Sequence, residues 1–420
     1  MDTDKHVQTR LGRVNRNVWA VTAASFLNDI SSKLIFTLMP LFLSNVLGVS
    51  TSIIGLIDGV SETTSSLLKG YSGYLSDRFK NRKWLTIVGY SFSAVAKPIL
   101  YVVTSWYGVL VVRFIDRIGK GIRTSPRDAL IADSIDKQHR GIAFSLHRAG
   151  DSAGGIIGLL IALFIVLATQ SQALDLSREA FQRLVLFGVV PAFMAVLVLG
   201  IMLRETTIDK TYDQQDEKSM DASAGALNFR SLNRDFRFFI VVVGIFTMGN
   251  SSNSFILLLA QERGLSVVSI LTMLIAYNLL HVTFSGPLGA LSDRLGPRRL
   301  IVGGWLTYGL IYTGFAFATT GTQVWILYSL YGIYYAAVGG TSKALVADLT
   351  PEHQRGTAYG YYNATVGLMA LPASLLAGIL WQGFGDWTGF GPSAPFVAGA
   401  ILSVVAAGLL SFHWREQGTY

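Results

Sequence analysis

The sequence predicts an all-α integral membrane fold in which twelve transmembrane helices form two halves of one plan. Three observations carry that reading. The 420 residues are 51% hydrophobic and only 14% charged, too apolar for an ordinary soluble protein of this length. A span needs about 20 mostly apolar residues to cross the hydrocarbon layer, and twelve such stretches follow one another along the chain. Finally, Gly70–Lys83 (GYSGYLSDRFKNRK) returns as Gly286–Arg299 (GPLGALSDRLGPRR), with Gly70 on Gly286, Asp77 on Asp293 and Arg82 on Arg298. Ala129–Asp133 (ALIAD) and Arg140-Gly141 return at nearly the same offset as Ala344–Asp348 (ALVAD) and Arg355-Gly356. Two motif pairs at nearly the same half-chain offset are the mark of an internal duplication.

Taken in order, the first span covers 18–47 and follows a basic tail with Lys5, Arg10, Arg13 and Arg16. It is too long and too interrupted for a cleavable signal peptide. Spans 52–76 and 84–104 flank the first copy of the repeated loop, and spans 108–133 and 141–169 flank the basic loop around 134–140. Span 183–203 closes the first half. Residues 204–236 are polar and of mixed charge, which makes them a linker between domains 1–203 and 237–420. Leu227, Phe229, Leu232 and Phe236 are spaced so that 226–238 is either a short amphipathic surface helix or part of a solvated linker. The second half runs through 237–261, 266–292, 300–319, 323–349, 356–382 and 394–413.

The formal charge of +8 resides largely in short loops on one face, while the opposite loops hold few cations (Arg178, Arg183 and Arg263). That asymmetry orients a membrane protein with both termini in the cytoplasm and argues against nucleic acid as a partner. Cysteine is absent, so a disulfide framework and a thiolate metal site are excluded. Neither a zinc-type histidine spacing nor a Gly-x-x-x-x-Gly-Lys-Ser/Thr run is found, so no metal or other cofactor is expected and ATP hydrolysis is not the energy source. Trp19, Trp84, Trp106, Tyr107, Trp325, Trp381 and Trp387 lie near span ends as interfacial anchors.

Ionisable groups inside a bilayer are costly, so each is a candidate functional residue unless another group pairs with it. The first half carries Asp29 and Lys33 in span 1, Asp58, Glu62 and Lys69 in span 2, and Lys97 in span 3. Span 4 holds Arg113, Asp116, Arg117 and Lys120, and span 5 holds His147, Arg148 and Asp151. Asp29 with Lys33, and Asp116 with Lys120, are four apart and either pair structurally or act in function. Asp58 and Glu62 are also four apart but alike in charge, so one of them binds a proton or finds a cation on another helix. The second half offers neutral groups instead, Asn250, Asn253, Asn278, His281 and Asn363, with Lys343 and Asp348 nearer an end. Tyr308, Tyr312, Tyr334, Tyr335, Tyr361 and Tyr362 fall within spans and read mainly as core.

The repeated Gly-x-x-Gly-x-Leu-Ser-Asp-Arg stretch resembles the loop signature of the major facilitator superfamily, between its second and third helices and again between the eighth and ninth. VVRFIDRIGKG around Arg113 is similar to that superfamily's fourth-helix signature, with Asp116 and Arg117 at its Gln and Gly positions. Gly150, Gly154, Gly155 and Gly158 resemble its antiporter glycine face without the expected proline; close helix packing is the alternative. The resemblance implies two pseudo-symmetric six-helix bundles (the major facilitator fold), a midplane site between them and alternating access. It makes Asp77, Arg78, Asp293 and Arg294 an inner gate. The resulting expectation is a monomeric secondary transporter of the cytoplasmic membrane that exports a small organic solute in exchange for protons. Basic groups modestly outnumber acidic ones within the first-half spans, so a solute with a carboxylate or phosphate suits the site. Uptake by proton symport and facilitated diffusion are the alternatives. An intramembrane lipid-modifying enzyme would need a nucleophile–base or metal constellation that the sequence does not offer.

Overall fold

In the computed structural model, residues 15–79, 81–135, 139–204, 229, 232–338, 341–351 and 354–416 are described. They form α1 (Arg16–Phe36), which continues through Met39–Leu41 and a π-helical stretch at Phe42–Val46, then α2 (Thr51–Phe79) and α3 (Arg82–Ala96) with a 3₁₀ extension Lys97–Tyr101. Next come α4 (Trp106–Asp133), α5 (Arg140–Gln170), α6 (Arg178–Met202), α7 (Arg234–Gly249) and α8 (Ser254–Glu262). The chain ends with α9 (Val267–Leu295), α10 (Pro297–Phe317), α11 (Gly321–Val338), α12 (Thr341–Asp348), α13 (Arg355–Gln382) and α14 (Ala394–Glu416). Among the described residues the only extended pairing is an isolated bridge between Phe384 and Trp387. With α7–α8 and α11–α12 each counted as one span, the helices fall on the twelve expected segments.

The helix starts follow the side chains. Asn15, Asn81 and Asn233 are N-caps, and their side chains accept from the amides of Asn17, Trp84 and Asp235, satisfying donors that a first turn leaves unpaired. Gly296, with φ +79°, makes the turn between α9 and α10 that a side chain would strain, and Pro297 then starts α10. Among the described residues, eight helical segments are long and apolar enough to cross a membrane by length and composition. The spans built on α2, α3, α4 and α11–α12 fall short of that test. In α2 and α4 the reason is the ionisable residues they carry, whose burial the neighbouring helices must offset.

Two compact units emerge from the contacts. One contains Met1–Leu38, Leu67–Ile165 and Glu179–Thr211; the other contains Met39–Ser66, Val166–Arg178 and Tyr212–Tyr420. The first unit has a core of Val18, Val21, Ala24, Ile87, Tyr90, Leu130, Ile131, Ala143, Ala195 and Leu199, drawn from α1, α3, α4, α5 and α6. Glycines set its closest approaches. A Cβ on Gly89 would lie 2.7 Å from the Gly119 carbonyl oxygen, so α3 and α4 meet backbone to backbone. Gly154 and Gly158 do the same for α5 against Phe26 and Ile30 of α1, Gly150 faces the Thr22 side chain, and a Cβ on Gly158 would stand 2.7 Å from the Ile30 oxygen. The glycine face of α5 is therefore a packing face.

In the second unit, the first part of α2 lies along α13 through small residues. Thr51 N donates to Gln382 Oε1 (2.8 Å), Ser52 Oγ to Gly383 O (2.8 Å) and Thr63 Oγ1 to Gly367 O (2.7 Å). A Cβ on Gly59 would come within 2.8 Å of Leu371 Cα, so this contact too depends on glycine. Of the expected interfacial aromatics, Trp19, Trp84, Tyr107 and Trp387 are exposed. Trp381 is buried against Phe255 and Phe396 and serves the core instead. Most of the linker, including 226–228, and the tail cations Lys5, Arg10 and Arg13 lie outside the described residues; Leu232 and Phe236 are buried.

Candidate functional site

The first unit concentrates its ionisable groups around Lys97, which is 0% exposed. Pro98 follows it, and the tighter 3₁₀ turn carries the lysine to the end of α3. Its ammonium donates to Ser31 Oγ (2.8 Å) and Ser32 Oγ (3.1 Å) of α1. A buried charge needs such donor–acceptor satisfaction and an opposite charge. Buried Asp116 of α4 supplies the charge, and Lys97 is the cation that acts on it most strongly, ahead of Arg117, Arg123 and Arg113. Asp29 and Lys33 of α1 lie within electrostatic reach of one another, and Asp29 also acts on Lys97 and on Asp151.

Arg113, Arg123 and Arg127 of α4 are held by aromatic faces and hydroxyls. The Arg113 guanidinium sits 4.9 Å from the centre of the Phe36 ring, and that of Arg123 sits 4.4 Å from Tyr90. Arg123 Nη1 also donates to Ser93 Oγ (2.6 Å), while Arg127 donates to Ser25 Oγ (3.2 Å) and pairs with Asp128 (2.9 Å). Ser25 joins two other helices to α1. Its hydroxyl shares a hydrogen bond with Tyr90 of α3 (2.7 Å) and accepts from Arg127 of α4, and it lies within electrostatic reach of Asp151 of α5. Asp151 stands 3.5 Å from His147 Nε2. Arg117 and Lys120 are half-buried and Arg148 is exposed.

Sequence reasoning stopped at Lys120 and so missed Arg123 and Arg127. The signal was present, because Arg113, Asp116, Lys120, Arg123 and Arg127 recur at steps of three and four and share one face of α4. Ser25, Ser93 and Tyr90 carried no such signal, since hydroxyls in a span most often bond their own helix.

The second unit breaks its first span. α7 ends at Gly249, α8 begins at Ser254, and Asn250, Ser251, Ser252 and Asn253 form the gap. Asp58 of α2 answers this gap by accepting from Ser252 Oγ (2.7 Å) and from the Ser254 hydroxyl at the start of α8. Ser252 Oγ also accepts from the Ser254 amide (3.2 Å). At the other edge the Tyr308 hydroxyl donates to Gly249 O (3.0 Å) and approaches Asn250 Oδ1 (3.4 Å). Broken helices survive at membrane depth only where other groups satisfy the freed backbone, and these side chains do so. Asp58 is thus half-buried among hydroxyl donors, whereas Glu62, one turn along, is exposed and within electrostatic reach of Tyr335.

Asn250 and Asn253 line this break. Asn278 donates to its own helix at Leu274 O (2.7 Å). His281 lies near-parallel to Tyr277 (6.2 Å) and edge-on to exposed Tyr335 (5.6 Å). Tyr308, Tyr312, Tyr328, Tyr331 and Tyr334 are buried and pack on one another. The side chains of Asp77, Arg78, Asp293 and Arg294 lie outside the described residues. Next to the first pair, Arg82 at the start of α3 makes an ion pair with Asp133 at the end of α4. No cluster of histidine and carboxylate suited to a metal occurs among the described residues.

Comparison with known proteins adds to this geometry. The profile of the Major Facilitator Superfamily matches residues 21–272 and 238–419. The chain is 34% identical over 405 residues to an uncharacterized MFS-type transporter of Methanocaldococcus jannaschii, covering 95% of each. It is 23% identical over 340 residues to the multi-drug resistance efflux pump PmrA of Streptococcus pneumoniae, covering 78% of this chain and 80% of that one. In fold it is similar to the nucleoside transporter NupG, with a TM-score of 0.76 at 15% identity over 94% of this chain and 99% of the other.

Proposed function

Because this chain belongs to the major facilitator superfamily, we propose that it exports a small organic solute across the cytoplasmic membrane by alternating access, in exchange for protons. It is a multi-pass membrane transporter, and its relatives are transporters rather than enzymes. Similarity to an efflux pump favours export. The observation that carries proton exchange is the buried network around Lys97, where carboxylates and cations from α1, α3, α4 and α5 meet. Buried carboxylates with like-charged neighbours are the groups able to take up and release protons near neutral pH.

In this reading, residues 1–203 and 237–420 rock about the site, 204–236 is a cytoplasmic linker, and both termini are cytoplasmic. Asp77 and Arg78, with Asp293 and Arg294, close the inner side. Asp29, beside the Lys97 network, and Glu62, exposed one turn from the like-charged Asp58, exchange the coupling protons; two hydroxyls hold Asp58. Arg113, Arg117, Lys120 and Arg148 favour an anionic group on the solute, and Asn250, Asn253 and Asn278 shape the solute pocket. The protein works as a monomer.

A thermal-shift screen of the purified protein against metabolites and drugs identifies a solute, because a ligand of the folded state raises apparent stability. In vesicles, Asp29→Asn and Glu62→Gln then abolish accumulation driven by a pH gradient and leave solute exchange intact, because exchange moves no net proton. Loss of both activities together, or of neither, contradicts the assignment. Uptake driven by the same gradient would reverse the direction to symport.

A further inference from the structure

The internal repeat places equivalent residues in different circumstances. In the first unit, Arg82 and Asp133 form an ion pair. Their counterparts in the second unit are Arg298 and Asp348, and both line a cavity of about 410 Å³ together with Arg299, Val302, Leu295 and Trp414. There Arg298 lies over the indole of Trp414, 5.4 Å from the ring centre, and the indole itself is 3% exposed. The aromatic face holds the guanidinium in place and leaves its donors free to point elsewhere. Arg299 is exposed beside it.

We propose that this cavity binds the headgroup of an anionic phospholipid that carries hydroxyls, of the phosphatidylglycerol type. Two guanidiniums suit a phosphodiester, since planar forks of N–H donors match phosphate oxygens. The Asp348 carboxylate is an acceptor only, so the ligand has to bring donors to it, and the headgroup hydroxyls do so. A lipid, rather than a free anion, follows from α10. Val302 lines the cavity, and Leu306 and Leu310 follow it at intervals of four on the same face, 47% and 73% exposed. That face gives an acyl chain an apolar track leading away from the charged cavity. Paired basic residues at the membrane end of packed helices are the usual anionic headgroup receptor.

Native mass spectrometry of the full chain in neutral detergent, titrated with dioctanoyl-phosphatidylglycerol, tests this. Dioctanoyl-phosphatidylglycerol should be retained in preference to dioctanoyl-phosphatidylcholine, and glycerol 3-phosphate should neither bind detectably nor compete. Each basic side chain near an anionic headgroup is worth roughly fivefold in binding, so the double substitution Arg298→Gln/Arg299→Gln weakens retention about thirty-fold. The exposed Lys343→Gln change leaves it as it was. If the double variant does not yield folded protein, Arg299→Gln alone should weaken retention about fivefold. Unchanged retention in the arginine variants, or equal retention of phosphatidylcholine, overturns the proposal. Binding of glycerol 3-phosphate as tight as that of the lipid overturns the lipid assignment in favour of a soluble anion.

Discussion

Replacing Lys97 with methionine keeps the volume of the side chain and removes its charge. The substitution deletes two hydrogen bonds, to Ser31 and Ser32, and takes from buried Asp116 the cation that acts on it most strongly. Breaking a buried pair from one side costs about 3–5 kcal/mol, because the surviving charge is left without compensation. Arg113, Arg117 and Arg123 still act on Asp116, so the loss here should fall near the bottom of that range, about 3 kcal/mol. The double substitution Lys97→Met/Asp116→Asn removes both charges and should recover part of the loss, since Arg113 and Arg123 lose Asp116 as their counter-charge. Thermal or denaturant unfolding of the purified protein in one detergent measures all three chains. If Lys97→Met alone is as stable as the unmodified chain, or if the double variant is the less stable of the two, Lys97 and Asp116 do not act as a buried pair.

Further expectations follow from other contacts. Asp58→Ala removes the acceptor for Ser252 and Ser254 at the start of α8 and should lower stability by about 1 kcal/mol, with Asp58→Asn milder, in the same unfolding assay. Gly89→Val drives a side chain into the backbone of α4 and should cost at least about 1–3 kcal/mol, while Gly303→Ala meets nothing within 4 Å and should be neutral or stabilising; equal effects would show that α3 and α4 do not pack as described. Neutralising Asp77 to Asn should impair transport more than folding, with Asp293→Asn milder, and normal transport by both folded variants removes the gate. Single cysteines introduced at positions 175 and 215 should differ in labelling by an impermeant reagent in intact cells, with 175 labelled; preferential labelling at 215 reverses the topology.

The spans were legible because a helix that crosses a bilayer must be apolar over a fixed length, and the duplicated loop was legible because Gly-x-x-Gly-x-Leu-Ser-Asp-Arg stands in both copies. The positions of α2 and α4 were found despite their charges, since the flanking loops bound them. The break between α7 and α8 was missed, although Gly249–Ser254 (GNSSNS) is a run of residues that bond their own backbone outside helices. Asn250 and Asn253 were read as solute contacts when the same residues also mark the end of one helix and the start of the next. The like-charged pair Asp58 and Glu62 was visible, but not that Ser252 and Ser254 serve Asp58, because no local pattern encodes a contact between α2 and α8. Lys97 illustrates the same limit: its charge in a span marks it, whereas its partners on α1 and α4 depend on how three helices meet.

The most direct measurement of the account is transport of an identified solute in sealed vesicles containing the purified, unmodified protein, with an imposed pH gradient as the sole driving force. Proton-coupled export predicts that the solute accumulates in the compartment from which protons leave, and that collapse of the gradient stops accumulation. Movement only down the solute's own gradient, with the same rate at every imposed pH difference, would contradict proton coupling and leave a carrier for facilitated diffusion.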